Sequence, residues 1–83
     1  MEIFYTRRAA EELRDLPPPI QRRVAAKMRF FADQPDPLKF AKRLTNSRLG
    51  QFRFRIGEYR VVFDVEGEAI YVLRIAKRDE VYR

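Results

Sequence analysis

From Phe52 to Ile56 the chain alternates strictly between apolar residues and arginine, Phe52-Arg53-Phe54-Arg55-Ile56. Period-two alternation of this kind predicts a half-buried strand. Gly57-Glu58 reads as a tight two-residue turn, and the pattern resumes through Tyr59-Arg60-Val61-Val62-Phe63. In that register Ile56 faces Tyr59, Phe54 faces Val61 and Phe52 faces Phe63, all on one apolar side. The other side then carries Arg55 directly opposite Arg60, with Arg53 two residues along. Like charges placed opposite one another cost on the order of 0.2–1 kcal/mol. A sheet that holds them is expected to meet something negative.

The flanking patterns predict the remaining elements. Glu2 to Tyr5 form a short strand with Ile3 and Tyr5 on one side and Phe4 on the other. Thr6 is placed to cap a helix carrying Ala9, Leu13 and Leu16 on one face. Pro17-Pro18-Pro19 ends it, and Pro18 or Pro19 starts a second helix running to about Asp33. Ile20, Val24, Met28 and Phe31 form the apolar stripe of that helix. Its basic residues read as a solvated face. The two helices and their prolyl joint make an αα-hairpin.

Leu38, Phe40, Ala41 and Leu44 are expected to anchor a short helical turn, and Thr45-Asn46-Ser47 to form a loop. Glu66-Gly67-Glu68 makes a second turn, followed by a third strand from Ala69 to Ala76. A two-residue loop there would put Arg74 on the apolar side. A three-residue loop puts Tyr71, Leu73 and Ile75 on the apolar side and Arg74 across from Arg60. Keeping an arginine out of the core favours the three-residue loop. If the strand continues that far, it also sets Arg78 on the side of Arg55 and Arg60. The resulting architecture is α+β: an N-terminal strand and an αα-hairpin packed on a small, mostly antiparallel sheet, one domain over residues 1–83.

Composition narrows the function classes. The net charge is +6 and the pI about 10.2, which favours a polyanionic partner, nucleic acid or an acidic protein segment. The chain has no cysteine and no histidine. Disulfides are thus excluded, which fits a reducing cytosol, as does the absence of a signal-like or membrane-length apolar run. A cytoplasmic protein without membrane association is expected. No carboxylate cluster accompanies the arginine face, so neither a metal nor another cofactor is expected.

Two motifs carry a family resemblance. Leu49-Gly50-Gln51-Phe52-Arg53-Phe54-Arg55-Ile56-Gly57-Glu58-Tyr59-Arg60-Val61 resembles the central segment of the RelE/ParE superfamily of toxins. Ile75-Ala76-Lys77-Arg78-Asp79-Glu80-Val81-Tyr82-Arg83 resembles its closing signature, Ile-Gly-His-Arg-x-x-Val-Tyr. The opening Phe4-Tyr5-Thr6, with Ala10, Leu13 and Leu16-Pro17, also fits. RelE-like members cut messenger RNA in the ribosomal decoding site, whereas ParE-like members share the fold and inhibit DNA gyrase. The closing Tyr82 tips the resemblance to the RelE side. It implies a toxin of a type II toxin–antitoxin system, with ribosome and mRNA as targets. It also implies silencing by a cognate, partly acidic RelB-like antitoxin in a hetero-oligomer. An inactive toxin-fold domain that binds only its antitoxin is a further alternative.

The chemistry assigns candidate roles. RNA cleavage by internal attack must deprotonate the 2′-hydroxyl, stabilise the phosphorane and protonate the leaving 5′-oxygen. Arginine forks suit the second task. Arg55, Arg60 and Arg78 are the candidates, the last two matching arginines of the family motifs. Tyr82 is the proton-transfer candidate, provided cations lower its ordinary pKa of about 10; stacking on a base or packing on the sheet are its alternatives. Lys77 stands where the family often has histidine and is a possible substitute. Arg53, Arg74, Arg48 and Arg43 complete the expected RNA-binding set, with Lys39 and Lys42 as less specific contributors. Tyr59 is assigned to the core by the alternation.

Overall fold

The computed structural model describes residues 1–45 and 48–81. Its order is β1 (Glu2–Tyr5), α1 (Arg7–Arg14), α2 (Pro18–Ala32), a 3-10 turn (Pro37–Phe40), β2 (Ala41–Arg43), β3 (Phe52–Ile56), β4 (Tyr59–Glu66), β5 (Ala69–Lys77) and α3 (Arg78–Val81). The five strands form one sheet in the order β1-β5-β4-β3-β2. Pairing is antiparallel except between β1 and β5, so the α+β architecture is as expected.

Local chemistry sets the helix ends. Thr6 Oγ1 accepts the Ala9 N–H at 3.2 Å, satisfying one of the first orphan donors of α1. Pro18 and Pro19 occupy the first turn of α2, where a missing N–H costs nothing. The αα-hairpin lies on the apolar side of the sheet. Ala9, Val24, Met28 and Phe31 pack there with Phe54, Ile56, Val61, Phe63, Ile70, Val72 and Ile75. A run of stacked rings crosses this core, with Phe31–Phe54 and Phe54–Phe63 centroids both 4.4 Å apart. Burying rings of this size supplies most of the cohesion available to so short a chain. Among the described residues no helix is long and apolar enough to cross a membrane.

The β3–β4 hairpin has the register read from the alternation. Phe52 pairs with Phe63, Phe54 with Val61, Ile56 with Tyr59, and Arg55 with Arg60. Gly57 sits at the turn with φ 60°, in the left-handed region that glycine enters without a Cβ penalty.

Two expectations need correction. The connector contains a strand, β2, where only a helical turn and loop were expected; the helical turn itself is present over Pro37–Phe40. Three residues are too short to show a period. The loop before β5 has two residues, since Glu66 pairs with Ala69, and Arg74 lies across from Val62 instead of Arg60. Ile70 and Val72 take the core positions assigned to Tyr71 and Leu73, while Ile75 is in the core as expected. The cause is a β-bulge. Phe63 pairs with Val72 and Val62 with Arg74, so Leu73 is the extra residue on β5. The bulge solves the arginine problem that had argued for a longer loop.

Arg74 is held by α1. Its Nε lies 3.0 Å from Glu12 Oε2, and Glu12 Oε1 accepts the Ile75 N–H at 2.9 Å. The side chains are only 12% and 22% exposed. One carboxylate thus ties α1 to β5 immediately after the bulge, a role for Glu12 that its position in the helix did not announce.

Candidate nucleic-acid interface

On the side of the sheet away from the helices, the strands bring cations into register. Arg55 is opposite Arg60, and next to them Lys42 is opposite Arg53. Two like-charged cross-strand pairs side by side oppose folding and create a concentrated positive field. β5 ends at Lys77 and the chain turns into α3, so Arg78 does not continue the strand. Its N–H donates to the Glu58 carbonyl at 3.0 Å, fixing the start of α3 against the β3–β4 turn. Val81 is fully buried with Val62 and Ala76, which pins the other end of this short helix onto the sheet.

Arg55, Arg60 and Arg78 border two adjoining hollows. The larger, about 530 Å³, is bordered by Lys42, Arg43, Arg53, Arg55, Arg60 and Arg78 together with Leu44 and Thr45, with no acidic residue among the described ones. The smaller, about 430 Å³, shares the three arginines and adds Lys77, with Glu58 and Asp79 at its margin. Among the described residues no group of three or more Asp or Glu side chains is placed to hold a metal ion.

The members differ in exposure. Arg55, Arg78, Lys42 and Lys77 are exposed, whereas Arg60 retains 6% of its surface. Arg60 Nη1 donates to the carbonyls of Gly57 and Tyr59, both at 3.1 Å, so this guanidinium also braces the hairpin turn. A buried, permanently charged group beneath exposed cations strengthens the field more than its surface area suggests.

Not every expected residue joins this group. Arg74 is engaged with Glu12, as described above. Arg43 borders the larger hollow, but its guanidinium lies 5.8 Å from the Phe52 ring centroid. Arg48 borders a third hollow beyond Leu44. Tyr82 lies outside the described residues. Tyr59 is half-buried on the apolar side, opposite Ile56, in keeping with a packing role. Lys42 was seen only as a diffuse contributor, because its placement depends on β2.

With this geometry in place, comparison with known proteins is informative. The sequence model of the ParE toxin of the type II toxin–antitoxin system parDE matches residues 3–82. The toxin RelG of Mycobacterium tuberculosis is 34% identical, the match spanning 98% of this chain and 94% of RelG. The fold is similar to that in the RelBE2 toxin–antitoxin complex of Mycobacterium tuberculosis. The TM-score is 0.75 at 28% identity, covering 93% of this chain and 96% of that one. The RelB-RelE complex of Methanococcus jannaschii gives a TM-score of 0.72 at 18% identity, covering 95% and 94% of the two chains. The ParDE system of Pseudomonas aeruginosa gives 0.68 at 19%, covering 93% and 95%. At these last two identities the likeness is one of fold alone. The chain belongs to the ParE toxin family and is a toxin of the type II toxin–antitoxin class within the RelE/ParE superfamily.

Proposed function

We propose that this toxin is a ribosome-dependent messenger-RNA endonuclease. The observation that carries the proposal is the hollow bordered, among the described residues, by six basic residues and no acidic one. Such a site favours a phosphodiester backbone, and planar guanidinium groups match its oxygens in pairs. In the proposed reaction the 2′-oxygen attacks the adjacent phosphorus and the bond to the 5′-oxygen breaks. The products are a 2′,3′-cyclic phosphate and a free 5′-hydroxyl. Arg55 and Arg78 contact the non-bridging oxygens as negative charge grows on them, and Arg60 adds its field from below.

Proton transfer is assigned to Tyr82, with Lys77 at the margin of the smaller hollow as the second candidate. The partner that silences the toxin is a cognate, partly acidic antitoxin, a reading supported by the toxin–antitoxin complexes among its structural relatives. The resemblance to RelG supports the RNA reading. The match to a ParE sequence model favours the second reading, inhibition of DNA gyrase.

A purified translation reaction on a defined message separates the two. Primer extension should reveal cuts at fixed codon positions that require ribosomes. An intact message, together with loss of gyrase supercoiling activity, would replace the first reading with the second.

A further inference from the structure

Where α2 passes the tip of the β3–β4 hairpin, a further hollow of about 390 Å³ adjoins the smaller basic one, and the two share Arg55, Gly57 and Glu58. Its walls are of mixed character. Ile20 and Val24 of α2, with Ile56 and Tyr59 of the hairpin, are buried or half-buried and give it an apolar floor. Arg23 of α2 and Arg55 of β3 bring positive charge to its border, and Glu58 is the acidic residue there.

The pattern along α2 assigns Arg23 to a solvated face, yet the fold brings it to the hairpin tip. Ile20, Arg23 and Val24 lie three and four residues apart and so share one side of the helix. Gly57 carries no Cβ, and the Arg23 guanidinium lies against the room this leaves. A Cβ there would meet its Nη1 at 3.2 Å, Nη2 at 3.3 Å and Cζ at 3.4 Å. That contact limits the rotamer freedom that a ligand would otherwise have to freeze out. Arg23 is nevertheless exposed, and it has no hydrogen bond or ion pair with any described residue. The same holds for the Arg55 side chain, and Glu58 forms an ion pair with neither. Two guanidinium forks with their donors available, one from a helix and one from a strand, thus border a hollow with an apolar floor. A phosphate with its sugar and unstacked base fits such a lining.

Resting on the nuclease reading above, we propose that this hollow holds a second phosphate of the RNA strand, flanking the one that is cut. The strand passes from the basic hollows over the hairpin tip, with Arg55 at the junction. Arg23 donates to the non-bridging oxygens of the flanking phosphate, and that nucleotide's apolar surface rests on Ile20 and Tyr59. Arg23 is a binding residue that holds the strand in place and does not touch the reacting atoms. Every nucleotide carries the same phosphate, so the contact sets the position of the strand and reads no sequence.

The test uses ribosomes programmed with a synthetic message that fixes one codon in the decoding site. Single phosphates on either side of the cut are replaced, one per message, by a neutral methylphosphonate, and cleavage rates are measured at limiting toxin. The proteins are the unmodified chain, Arg23→Ala, Arg23→Lys and Arg22→Ala. Arg22 is the control, an exposed arginine on the same helix that borders none of the hollows described above. At one fixed offset the neutral linkage should slow the unmodified protein and Arg22→Ala roughly tenfold. Arg23→Ala should be slower by about the same factor on the all-phosphate message, and the neutral linkage at that offset should slow it no further. Arg23→Lys should regain part of the rate, since it keeps the charge and loses the fork. Equal sensitivity of Arg23→Ala and the unmodified protein at every offset would overturn the second phosphate site while leaving the nuclease reading intact. Failure of the unmodified protein to cut the all-phosphate message would overturn that reading and this one with it.

Discussion

Arg55 and Arg60 are cross-strand partners, yet one is exposed and the other is almost entirely buried. The pair is repulsive, so its members should contribute to stability and function in opposite senses. Replacing Arg55 by alanine removes the repulsion without breaking any hydrogen bond seen among the described residues. Thermal denaturation should show a gain of about 0.2–1 kcal/mol, or a few degrees in Tm. Cleavage in the translation assay should fall by roughly 10²-fold. Arg60→Ala should lose both, because it strips the Gly57 and Tyr59 carbonyls of a donor at a cost of about 1–3 kcal/mol.

Binding to single-stranded RNA should be steeply salt-dependent. Each cation removed from the border of the larger hollow should reduce the slope of log affinity against log salt by about 0.7. Arg53→Ala and Arg78→Ala should show this reduction in filter-binding titrations. Arg74→Met should not, since Arg74 is paired with Glu12.

Glu12→Ala should destabilise the fold by about 2–4 kcal/mol in urea denaturation, because it leaves Arg74 with little solvent access and no carboxylate. Replacing both residues together, Glu12→Leu with Arg74→Met, should recover much of that loss. The double-mutant cycle then measures the coupling directly.

Gly50→Ala should cost about 1–3 kcal/mol by overpacking against Val62 and Leu73. The control is Gly67→Ala, where no atom lies within 4 Å of the new Cβ and only the left-handed backbone at φ 58° resists it. That change should cost about 1–2 kcal/mol.

Alkaline stability should depend on Tyr5. Burial raises its pKa above the ordinary value, partly offset by the nearby Arg29 charge. The unfolded chain therefore ionises first. Stability from the neutral phenol is complete below about pH 10 and is lost as pH rises through the folded-state value. Tyr5→Phe should flatten this alkaline decline in a pH series of denaturation curves, with no change at pH 7.

How much of this was legible beforehand depended on whether a period survived. The β3–β4 hairpin repeats over enough residues that its register, and hence the Arg55–Arg60 pairing, followed from alternation alone. The capping Thr6 and the prolines at 17–19 announced themselves by their backbone chemistry. β2 was hidden because Ala41-Lys42-Arg43 has no internal pattern, and with it went the Lys42–Arg53 pair. The burial of Arg60 was invisible, since alternation assigns a face but not a depth. The bonds from the Gln51 N–H to Asp64 Oδ1 and from the Val65 N–H to Gln51 Oε1 gave no signal, because side-chain oxygens there take the place of ladder carbonyls.

The bulge at Leu73 divides β5 into two segments of opposite parity. Up to Val72 the even-numbered positions face the helices; from Ile75 onward the odd-numbered ones do. Because Leu73 is the extra residue, drawing it into the ladder opposite Val62 with no residue lost would exchange inside for outside in everything after it. Arg74 would fall opposite Val61 on the apolar side, Ile75 would turn outward, and the chain would enter α3 half a pleat out of phase. Deleting Leu73 instead would leave Val72 opposite Phe63 and Arg74 opposite Val62, a regular ladder with every face unchanged. A sequence one residue shorter at this point would therefore present its arginines on the same side without a bulge.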